Sequence, residues 1–411
     1  MKYGLIGEKL GHSFSKTIHS KIADYDYELL EIGKQEIDLF LKKRDFCGIN
    51  VTIPYKQTVI PYLDKISDEA KNIGAVNTIV NKNGKLYGYN TDFFGLKALI
   101  EKNNIEILGK TVLILGSGGT SKTANAVCKS MSAKEIYIVS RSGENGTVSY
   151  DAAKKIKAEV IINTTPCGMY PKNYETPIDL SAFVNLEAVV DVVYNPLKTA
   201  LVLSAEKRGI KAVGGLYMLY IQAVKAAELF LEKEITNDVF SKILNEKQNL
   251  VLVGMPSSGK TTLGKILSQE LQKEFLDTDE EIIKKAQTPI AEIFERFGEE
   301  YFRALETQAI KEVSQRQGLV IATGGGAVLR QENIDALKQN GKVIFIDRPL
   351  SQLLVTDDRP LSKTYKHLEQ LYNQRYDIYN ALCDLKINAD GDINTNLKRI
   401  KEGVLNENFS N

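Results

Sequence analysis

Residues 249–262 read Asn-Leu-Val-Leu-Val-Gly-Met-Pro-Ser-Ser-Gly-Lys-Thr-Thr, an apolar run that leads directly into a glycine-rich turn. The spacing Gly254, four residues, Gly259, Lys260, Thr261 is the complete pattern of a phosphate-binding loop. In such a loop, backbone N–H groups surround phosphate oxygens at the positive end of the following helix. A glycine turn beside a surface lysine would also explain these residues. The buried-type strand before them and the helical pattern after them favour nucleotide binding.

Almost 250 residues precede this loop, and a chain of 411 residues predicts two or three domains. The hydrophobic share of 43% and the charged share of 26% are typical of an ordinary soluble protein. With a net charge of +1, the chain has no overall electrostatic attraction to nucleic acid or to an anionic membrane, so we expect neither as a partner. No signal-peptide core and no membrane-spanning apolar run is present. Four scattered cysteines and three dispersed histidines predict a reduced, cytoplasmic protein without a disulfide or zinc framework.

The first hundred residues alternate short apolar strands with helical patterns, which predicts an α/β domain over residues 1–100. Asn83-Gly84 predicts a two-residue hairpin, so at least one strand pair should be antiparallel. A serine suits the N-cap of the first helix. The predicted strands are 3–6, 27–32, 48–53 and 75–80, and the predicted helices are 15–23, 35–43 and 68–73.

A second block, 101–215, has the alternation of a doubly wound parallel sheet. Its first strand, 111–115, runs into Gly116-Ser-Gly-Gly-Thr-Ser121 and a helix to about residue 131, with further strands at 135–139, 160–163 and 188–193. Ser121 occupies the third glycine position of a dinucleotide loop, so the motif is incomplete. Its place between a strand and a helix nevertheless favours dinucleotide binding over a plain tight turn. A long helix from about Tyr217 to Leu231 follows, and 241–248 is predicted to be a linker.

The second strand of this block ends at Ser140-Arg141-Ser142, which selects the cofactor. An NAD-binding fold places Asp or Glu here for the ribose 2′-hydroxyl. An arginine between two hydroxyls instead offers a bidentate cation for a 2′-phosphate. The sequence therefore favours NADP over NAD.

Small polar residues cluster in three segments of the first block without a packing reason: 13–15, 50–56, and Asn77 with 90–92. On a strand, Asn50 and Thr52 share one face, and Lys56 lies just beyond its end, where α/β folds place ligand contacts. Any one of these residues alone would be explained as a cap or turn residue. Together, the hydroxyls, amides, lysine and carboxylate suit a small polyhydroxylated acid as substrate.

Several motifs over residues 1–240 together resemble shikimate dehydrogenase. They are Gly-His-Ser-Phe-Ser-Lys (11–16), Asn-Val-Thr-Ile-Pro-Tyr-Lys (50–56), Gly-Ala-Val-Asn-Thr (74–78), Gly-Tyr-Asn-Thr-Asp (88–92), Gly-Ser-Gly-Gly-Thr (116–120), Asp191-x-x-Tyr194-x-Pro196 and Gly215-Leu-Tyr-Met-Leu with Gln222. The resemblance implies a substrate-binding domain at 1–100, with the 216–240 helix packing back on it, and a Rossmann-type NADP domain at 101–215.

The same resemblance implies residue roles. Lys56 would be the acid–base residue and Asp92 its partner, because a positioned ammonium can stabilise and protonate the oxygen of the 3-keto group as hydride arrives. The shikimate-binding residues would be Ser13, Ser15, Thr52, Asn77, Asp92, Tyr194 and Gln222. The NADP-binding residues would be Gly116, Ser117, Gly118, Gly119, Thr120, Ser140, Arg141 and Ser142, with Asp68 and Gly215 on the nicotinamide side.

Motifs from the phosphate-binding loop onward resemble shikimate kinase over about residues 248–400. They are Phe275-Leu-Asp-Thr-Asp279, Phe297-Gly-Glu-Glu-Tyr-Phe-Arg303-x-x-Glu306, Ala322-Thr-Gly-Gly-Gly326, Asp358-Arg-Pro-Leu361 and Arg375-x-x-x-Tyr379. The implied fold for 249–411 is a P-loop kinase domain with a parallel sheet, similar to the nucleoside-monophosphate kinases.

By this resemblance, Asp279 binds the shikimate hydroxyls and accepts the proton of the attacking one. Arg303 and Arg375 grip the carboxylate, and Gly325 backs the ring. Mg²⁺ would be held by Thr261 and, through water, by Asp277. The ATP contacts would be Met255, Pro256, Ser257, Ser258, Gly259, Lys260, Thr261, Thr262 and, from a lid, Arg359.

Two departures from the kinase pattern stand out. Ser257 stands where these kinases usually have Gly or Ala, a change that the loop should accommodate. The stretch 353–358 is short and lacks an arginine often found there, so the adenine contact is not defined by the resemblance.

The two resemblances describe consecutive reactions, since the product of the first is the substrate of the second. We therefore expect an enzyme that reduces 3-dehydroshikimate with NADPH and phosphorylates shikimate with ATP and Mg²⁺. Two alternatives stay open: the first half acting mainly on quinate, or the second half sensing nucleotide and shikimate with little turnover. The expected partners are small-molecule substrates, and the expected state is a monomer or homodimer.

Overall fold

The first sheet is mixed and is built from the first ninety residues. A computed structural model describes residues 2–11, 13–354 and 364–406, in two compact units, 1–240 and 241–411. In the first sheet, with strand order β2-β1-β3-β5-β6-β4, β1 pairs in parallel with β2 and β3, whereas β5 pairs antiparallel with β3 and β6. The strands are β1 (Tyr3–Gly7), β2 (Tyr27–Glu31), β3 (Gly48–Val51), β4 (Lys65–Ile66), β5 (Thr78–Lys82) and β6 (Lys85–Tyr89).

The predicted hairpin is confirmed, because Asn83 and Gly84 join β5 to β6 with φ of 52° and 80°. Both values lie in the left-handed region that such two-residue turns need. The predicted serine N-cap is wrong: Phe14 occupies that position, and no side chain caps the helix. The helices of this region are α1 (Ser15–Ile22), α2 (Ile37–Lys43), α3 (Asp68–Ile73) and α4 (Thr91–Lys102).

The second sheet of the first unit is entirely parallel, with strand order β12-β11-β10-β7-β8-β9. Its central strands are buried along their whole length, as continuous apolar runs covered on both faces require. The strands are β7 (Thr111–Leu115), β8 (Glu135–Ser140), β9 (Val148–Ser149), β10 (Val160–Asn163), β11 (Ala188–Asp191) and β12 (Lys211–Val213). The helices are α5 (Gly119–Ser130), α6 (Tyr150–Ala153), α7 (Ala200–Lys207) and α8 (Leu216–Leu231).

Helix α8 returns to the first sheet. Its Phe230 packs in one cluster with Leu5 and Tyr27, and a Cβ at Gly95 of α4 would lie only 2.6 Å from the Met218 carbonyl oxygen. The helix ends at Leu231, because Glu232 adopts the left-handed conformation with φ of 50°. This end agrees with the helix predicted from about Tyr217 to Leu231, within the 216–240 segment.

The second unit contains a five-stranded parallel sheet in the order β14-β15-β13-β16-β17. Its strands are β13 (Asn249–Val253), β14 (Glu274–Asp277), β15 (Leu319–Ala322), β16 (Gly341–Asp347) and β17 (Leu385–Asn388). Its helices are α9 (Phe240–Lys247), α10 (Lys260–Glu270), α11 (Thr278–Ala286), α12 (Ile290–Ser314, with non-helical Gly298), α13 (Gln331–Asn340), α14 (Tyr365–Leu382) and α15 (Ile393–Asn406).

The segment predicted as a linker, 241–248, is mostly helix α9. Ile243 is buried, and the Gly318 N–H donates to the Lys247 carbonyl at 3.1 Å. Because the segment is mostly polar, its composition did not indicate that Ile243 would be buried. Across the residues that the structure describes, no helix is both long and apolar enough to cross a membrane.

Candidate active sites

A cavity of about 390 Å³ in the first unit collects the polar segments that the sequence singled out. Parallel strands place their following loops at one sheet edge, and Thr52 and Lys56 follow β3 there. All eight residues predicted to hold substrate or act on it line this cavity: Ser13, Ser15, Thr52, Lys56, Asn77, Asp92, Tyr194 and Gln222.

Lys56 and Asp92 form the charged centre of the cavity. The Lys56 Nζ lies 2.6 Å from Asp92 Oδ2, with the two side chains 19% and 11% exposed. The Asn90 side chain caps α4 by accepting from the Phe93 N–H at 3.2 Å, which sets Asp92 in the first turn. Since a helix N-terminus favours a negative charge, the fold stabilises the carboxylate that orients the ammonium.

The amides of the cavity wall are fixed by a buried network. Asn77 Oδ1 accepts from the Thr91 N–H at 2.7 Å, and Asn77 Nδ2 donates to the Thr91 hydroxyl at 3.1 Å. Gln222 Nε2 donates to the Leu219 carbonyl at 3.0 Å. Each amide therefore has a set orientation before a substrate arrives.

The two serines lie at the start of α1. The Ser13 hydroxyl accepts from the Ser15 N–H at 3.2 Å, and Ser15 is the first residue of the helix. Opposite, the Tyr194 ring lies 5.3 Å from the Phe14 ring, and burial raises the pKa of Tyr194. The cavity thus combines hydroxyls with one lysine–carboxylate pair.

Several residues of the cavity were not assigned a role from the sequence. Asn50 is nearly buried, with its Oδ1 accepting from the Tyr27 hydroxyl at 2.7 Å. The apolar side chains Met169 and Met218 also line the cavity. A lone methionine carries no sequence signal of a binding role, whereas Asn50 could have been assigned from its place beside Thr52.

The loop after β7 has the features of a dinucleotide site. Gly116 has φ of 104°, and a Cβ at Gly118 or Gly119 would meet nothing within 4 Å. That open space lies at the N-terminus of the twelve-residue helix α5, whose dipole favours phosphate. Ser121, at the departing third glycine position, is buried. Thr120, predicted to contact the cofactor, and Gly215 also line the substrate cavity.

The end of β8 places Arg141 in an exposed position beside this loop, since β7 and β8 are parallel neighbours. The Ser140 hydroxyl accepts from the Gly143 N–H at 3.0 Å and lies 3.4 Å from that of Ser142. Asp68 is exposed at the start of α3 and is not among the residues that line the cavity. The exposed guanidinium and the open glycine loop fit a dinucleotide that carries a 2′-phosphate.

The phosphate-binding loop of the second unit follows β13, as the sequence predicted. The Lys260 ammonium donates to the carbonyls of Gly254 and Met255, both at 2.9 Å. Gly254 and Gly259 have φ of 147° and 95°, values that few side chains tolerate. The lysine is thus held against the loop from which it can reach phosphates.

Around this loop, Met255 and Ser258 are buried, whereas Thr262 is exposed. Ser257 has a left-handed φ of 63°, and its hydroxyl donates to the Leu354 carbonyl at 2.8 Å. Arg359 lies outside the described residues.

Arg348 is a cation near the phosphate-binding loop that the sequence motifs did not single out. A Cβ at Gly259 would lie 3.9 Å from its Nη1. Arg348 comes directly after β16, which pairs with β13, and this position in the sequence could have indicated that it lies near the loop.

Two carboxylates follow β14. The Thr261 hydroxyl donates to Asp277 Oδ2 at 2.8 Å, and Asp277 Oδ1 accepts from the Asp279 N–H at 3.0 Å. Threonine and aspartate oxygens side by side are ligands of the kind that Mg²⁺ prefers. The site therefore suits a magnesium nucleotide.

Three consecutive glycines allow side chains from three different segments to lie close to one turn of the backbone. A Cβ at Gly324 would lie 2.6 Å from Asp279 Oδ1, one at Gly325 would lie 2.9 Å from Pro256 Cδ, and one at Gly326 would strike the Arg303 guanidinium. Only glycine allows these approaches. Asp279, the phosphate-binding loop and Arg303 consequently meet at one turn.

The two buried arginines have different supports. Arg303 Nη1 donates to Glu306 Oε2 at 2.8 Å, and Glu306 is completely buried. Burial raises the pKa of Glu306, an effect that Arg303 opposes. Arg375 is 3% exposed beside Tyr379, whose hydroxyl donates to the Gly325 carbonyl. The sequence motifs contained Glu306 and Tyr379, but no role was assigned to either.

Two protein-family models match parts of the chain. The shikimate dehydrogenase substrate binding domain matches residues 5–79, and shikimate kinase matches residues 256–404. The NADP(+) shikimate dehydrogenase of Clostridium beijerinckii is 39% identical over 265 residues, which cover 59% of this chain and 98% of that protein.

Solved structures are similar over the same region. Shikimate dehydrogenase 1 from Peptoclostridium difficile is 38% identical, with a TM-score of 0.56, covering 60% of this chain and 97% of its own. The Thermus thermophilus shikimate 5-dehydrogenase in complex with NADP(H) and shikimate is 28% identical, with a TM-score of 0.53, covering 57% of this chain and 95% of its own.

Proposed function

Because the chain belongs to the shikimate dehydrogenase family and carries a shikimate kinase domain, we propose that the Lys56 cavity performs the reduction and the P-loop cleft the phosphorylation. The protein is a bifunctional enzyme of the shikimate pathway, with NADP(H), ATP and Mg²⁺ as cofactors. It reduces 3-dehydroshikimate to shikimate and converts shikimate to shikimate 3-phosphate. The observation that carries the residue assignment is the Lys56–Asp92 pair at 2.6 Å in a cavity of hydroxyls and amides.

In the first cavity, Lys56 acts as the general acid. Bound NADPH supplies the hydride. The Lys56 ammonium donates a proton to the oxygen of the 3-keto group, which would otherwise become an oxyanion. Asp92 accepts a hydrogen bond from the Lys56 ammonium at 2.6 Å and thereby directs it at that oxygen.

The remaining residues of this cavity bind the substrate. Ser13, Ser15 and Thr52 offer hydroxyls, each able to donate and accept, which suits a ring with several hydroxyl groups. Asn77, Tyr194 and Gln222 complete the set. The pre-set amides favour one ring orientation, since their own partners within the protein leave few other arrangements.

The NADP contacts are assigned to the loop and the strand end beside it. Gly118 and Gly119 leave room for the pyrophosphate, and the N-terminus of α5 provides N–H groups for it. Arg141 pairs with the 2′-phosphate. The assigned residues are Gly116, Ser117, Gly118, Gly119, Thr120, Ser140, Arg141 and Ser142, with Gly215 and Asp68 toward the nicotinamide.

In the second cleft, Asp279 orients the attacking hydroxyl and accepts its proton. Arg303 and Arg375 grip the shikimate carboxylate, and the buried Glu306 cancels one of the two positive charges. Glu299 also lies 3.1 Å from Arg303, so a bound carboxylate would share Arg303 with two glutamates and would pair in addition with Arg375. Gly325 backs the ring.

The nucleotide contacts follow the phosphate-binding loop. Mg²⁺ neutralises phosphate charge when bound. Thr261 would ligate it directly and Asp277 through water, and Lys260 would move from the loop carbonyls to the terminal phosphates. The other assigned contacts are Met255, Pro256, Ser257, Ser258, Gly259, Thr262 and, outside the described residues, Arg359.

We infer that the enzyme works in the cytoplasm as a monomer or homodimer, with small molecules as its partners and neither nucleic acid nor membrane. The near-zero net charge supports this proposal, as do four cysteines without a disulfide. Cell fractionation and light scattering of the purified chain test it, and recovery with the membrane fraction would contradict it.

The assignment of Lys56 is tested by Lys56→Ala in the intact chain. We expect the dehydrogenase kcat to fall by about two to four orders of magnitude, the usual contribution of a general acid. NADPH oxidation with 3-dehydroshikimate measures it, and ATP consumption with added shikimate should be unchanged.

The matched control is Lys97→Ala, because Lys97 is a half-buried lysine on α4, 3.8 Å from Glu101, that does not line the cavity. Near-normal NADPH oxidation by Lys56→Ala would remove Lys56 from the mechanism. Mass spectrometry of the products formed from 3-dehydroshikimate, NADPH, ATP and Mg²⁺ tests the two-step activity itself.

A further inference from the structure

A second cavity of the kinase unit, of about 430 Å³, lies away from the phosphate-binding loop. Helix α9 and Leu250 line it, together with residues at the end of α10 and in α15. Leu250 is near the amino end of β13, whereas the phosphate-binding loop follows the carboxyl end of the same strand. We call it the amino-end cavity. It cannot share its ligand with the nucleotide site, because the length of a strand separates them.

Lys273 supplies the amino-end cavity with a half-buried cation. Its ammonium donates to the carbonyls of Asn245 and Gln248, the latter at 2.9 Å. These bonds use two of its three N–H donors. Within the described part of the chain, no carboxylate lies at ion-pair distance from it. The third donor is therefore available to a ligand.

The environment of Lys273 favours an anion. Burial lowers the pKa of Lys273 to about 8, an effect that Glu246 opposes. A bound negative charge would stabilise the ammonium that α9 already uses to anchor its last carbonyls. Lys401, the other cation of the α15 side, is 2.9 Å from Glu270 and is thereby largely neutralised.

Four apolar side chains share the wall of the cavity with the polar residues Lys242, Asn245, Glu246, Gln248, Gln272 and Lys401. Leu250, Leu267 and Val404 are 2%, 0% and 8% exposed, and Leu271 is half-buried. A doubly charged, strongly hydrated phosphate would lose water against these side chains without compensation. A ligand with a single charge and an apolar body matches both the leucines and the lysine.

We propose that the amino-end cavity binds a small monocarboxylate with an apolar, ring-sized body, with its carboxylate on Lys273 and its body against Leu250, Leu267, Leu271 and Val404. Helix α9 contributes Lys242, Asn245 and Glu246 to the cavity, so a ligand there contacts the helix that begins where the first unit ends. The site is separate from both reactions of the enzyme.

The probe is 3-phenylpropanoate, titrated calorimetrically into the intact chain with saturating shikimate and MgADP. Shikimate occupies the carboxylate-binding clefts of both units, so the heat reports a further site. We expect one saturable site. Lys273→Met should weaken it about tenfold or more, because a hydrogen bond to a charged group is lost. Lys265→Met is the matched control, since Lys265 is an exposed lysine near Glu280 and does not line the cavity.

Two further measurements keep the test decisive if Lys273→Met fails to fold. Leu271→Trp, which fills the cavity and keeps the lysine, should abolish binding, whereas both enzymatic activities stay near normal. The neutral isostere 3-phenylpropan-1-ol should bind the parent chain about tenfold more weakly than the acid. The proposal is overturned by the absence of a saturable site, by equal affinity for acid and alcohol, or by undiminished binding in Leu271→Trp.

Discussion

Glycine-rich turns serve opposite purposes in the two units. In the first unit, a Cβ at Gly118 or Gly119 would meet no atom within 4 Å. In the second, Cβ atoms at Gly324, Gly325 and Gly326 would collide with Asp279, Pro256 and Arg303. The first turn leaves open space beside it, whereas the second leaves room for the protein's own side chains.

The backbone angles do not explain this difference. Gly118 has φ of −83° and Gly326 has φ of −98°, both of which any residue can adopt. What glycine provides at these positions is only the absence of a methyl group. The two turns can therefore be compared with the same substitution, alanine for glycine.

Gly326→Ala should have the largest effect. The new methyl would displace the Arg303 guanidinium, and a misplacement of about 1 Å in a positioning group can lower the rate about a hundredfold. We expect a fall of that order in kcat/KM for shikimate, measured by ATP consumption. NADPH oxidation by the same protein should be unchanged.

A double-mutant cycle decides whether Gly326 acts through Arg303. If it does, Gly326→Ala added to Arg303→Ala should lower kcat/KM no further, because the two changes remove the same interaction. Additive losses would show that the glycine serves some other contact, and the contrast between the turns would fail.

Buried carboxylates extend the comparison between the units. Glu306 is paired with Arg303, whereas Asp191 has only neutral partners: the Asn163 amide at 3.0 Å, the Val193 N–H at 3.0 Å and the Thr199 hydroxyl at 2.7 Å. Burial raises the pKa of Asp191 to about 6, and these hydrogen bonds only partly oppose that rise.

Asp191→Asn should change how stability depends on pH. The folded pKa of about 6 exceeds the ordinary 3.8, so the folded state binds more protons between these values. The stabilising contribution of Asp191 is therefore full below about pH 4 and is lost as the pH rises through 6. Relative to the parent, the asparagine variant should gain roughly 3 kcal/mol of stability across that window.

Hydrogen exchange of the peptides that contain β10 and β11, recorded at pH 4.5, 5.5 and 6.5, measures this relative stability. Asp151→Asn is the matched control, because Asp151 is an exposed carboxylate 3.0 Å from Lys154. A protection difference between Asp191→Asn and the parent that does not vary with pH would contradict the prediction.

Gly118→Ala should have a smaller and mainly ligand-dependent effect. The methyl would enter the space reserved for the pyrophosphate, so we expect the KM for NADPH to rise about tenfold, roughly 1.4 kcal/mol of binding. Stability without the cofactor should fall by about 0.5–1 kcal/mol, because Gly118 is the N-cap of α5 and alanine is a poorer N-cap than glycine. A loss of stability without any change in KM would show that the two turns are not different after all.

The two glycine turns also mark the limit of sequence reasoning. The strand–turn–helix pattern predicted the parallel sheets and the place of both glycine-rich loops, and Asn83-Gly84 predicted the hairpin of the first sheet. These features depend on local periodicity and spacing. The eight predicted residues of the first cavity also line it together. Whether a glycine faces a ligand or Arg303 depends on contacts across the fold, which spacing alone does not reveal.

Other misses have the same origin. The N-cap of α1 depends on how the loop at Ser13 enters the helix, and α9 depends on Ile243 finding a buried place. Arg348 reaches the phosphate-binding loop only because β16 pairs beside β13. The residue roles themselves stay predictions until the substitutions are made.

Ser257 offers the smallest and sharpest test, because it stands in a loop where a side chain is disfavoured. Its φ of 63° is a left-handed conformation that costs an L-residue about 1 kcal/mol and costs glycine nothing. Its hydroxyl also donates to the Leu354 carbonyl at 2.8 Å. Ser257→Ala removes the hydroxyl and keeps the left-handed strain, whereas Ser257→Gly removes the hydroxyl and the strain together.

We expect the kinase unit of Ser257→Gly to be more stable than that of Ser257→Ala. The difference should be about 1 kcal/mol or less, since the greater unfolded-chain entropy of glycine offsets part of the relief. A urea titration monitored by hydrogen exchange of β13 measures this difference. An alanine variant as stable as the glycine variant would mean that this loop holds no strain, and that serine is as well suited to it as glycine.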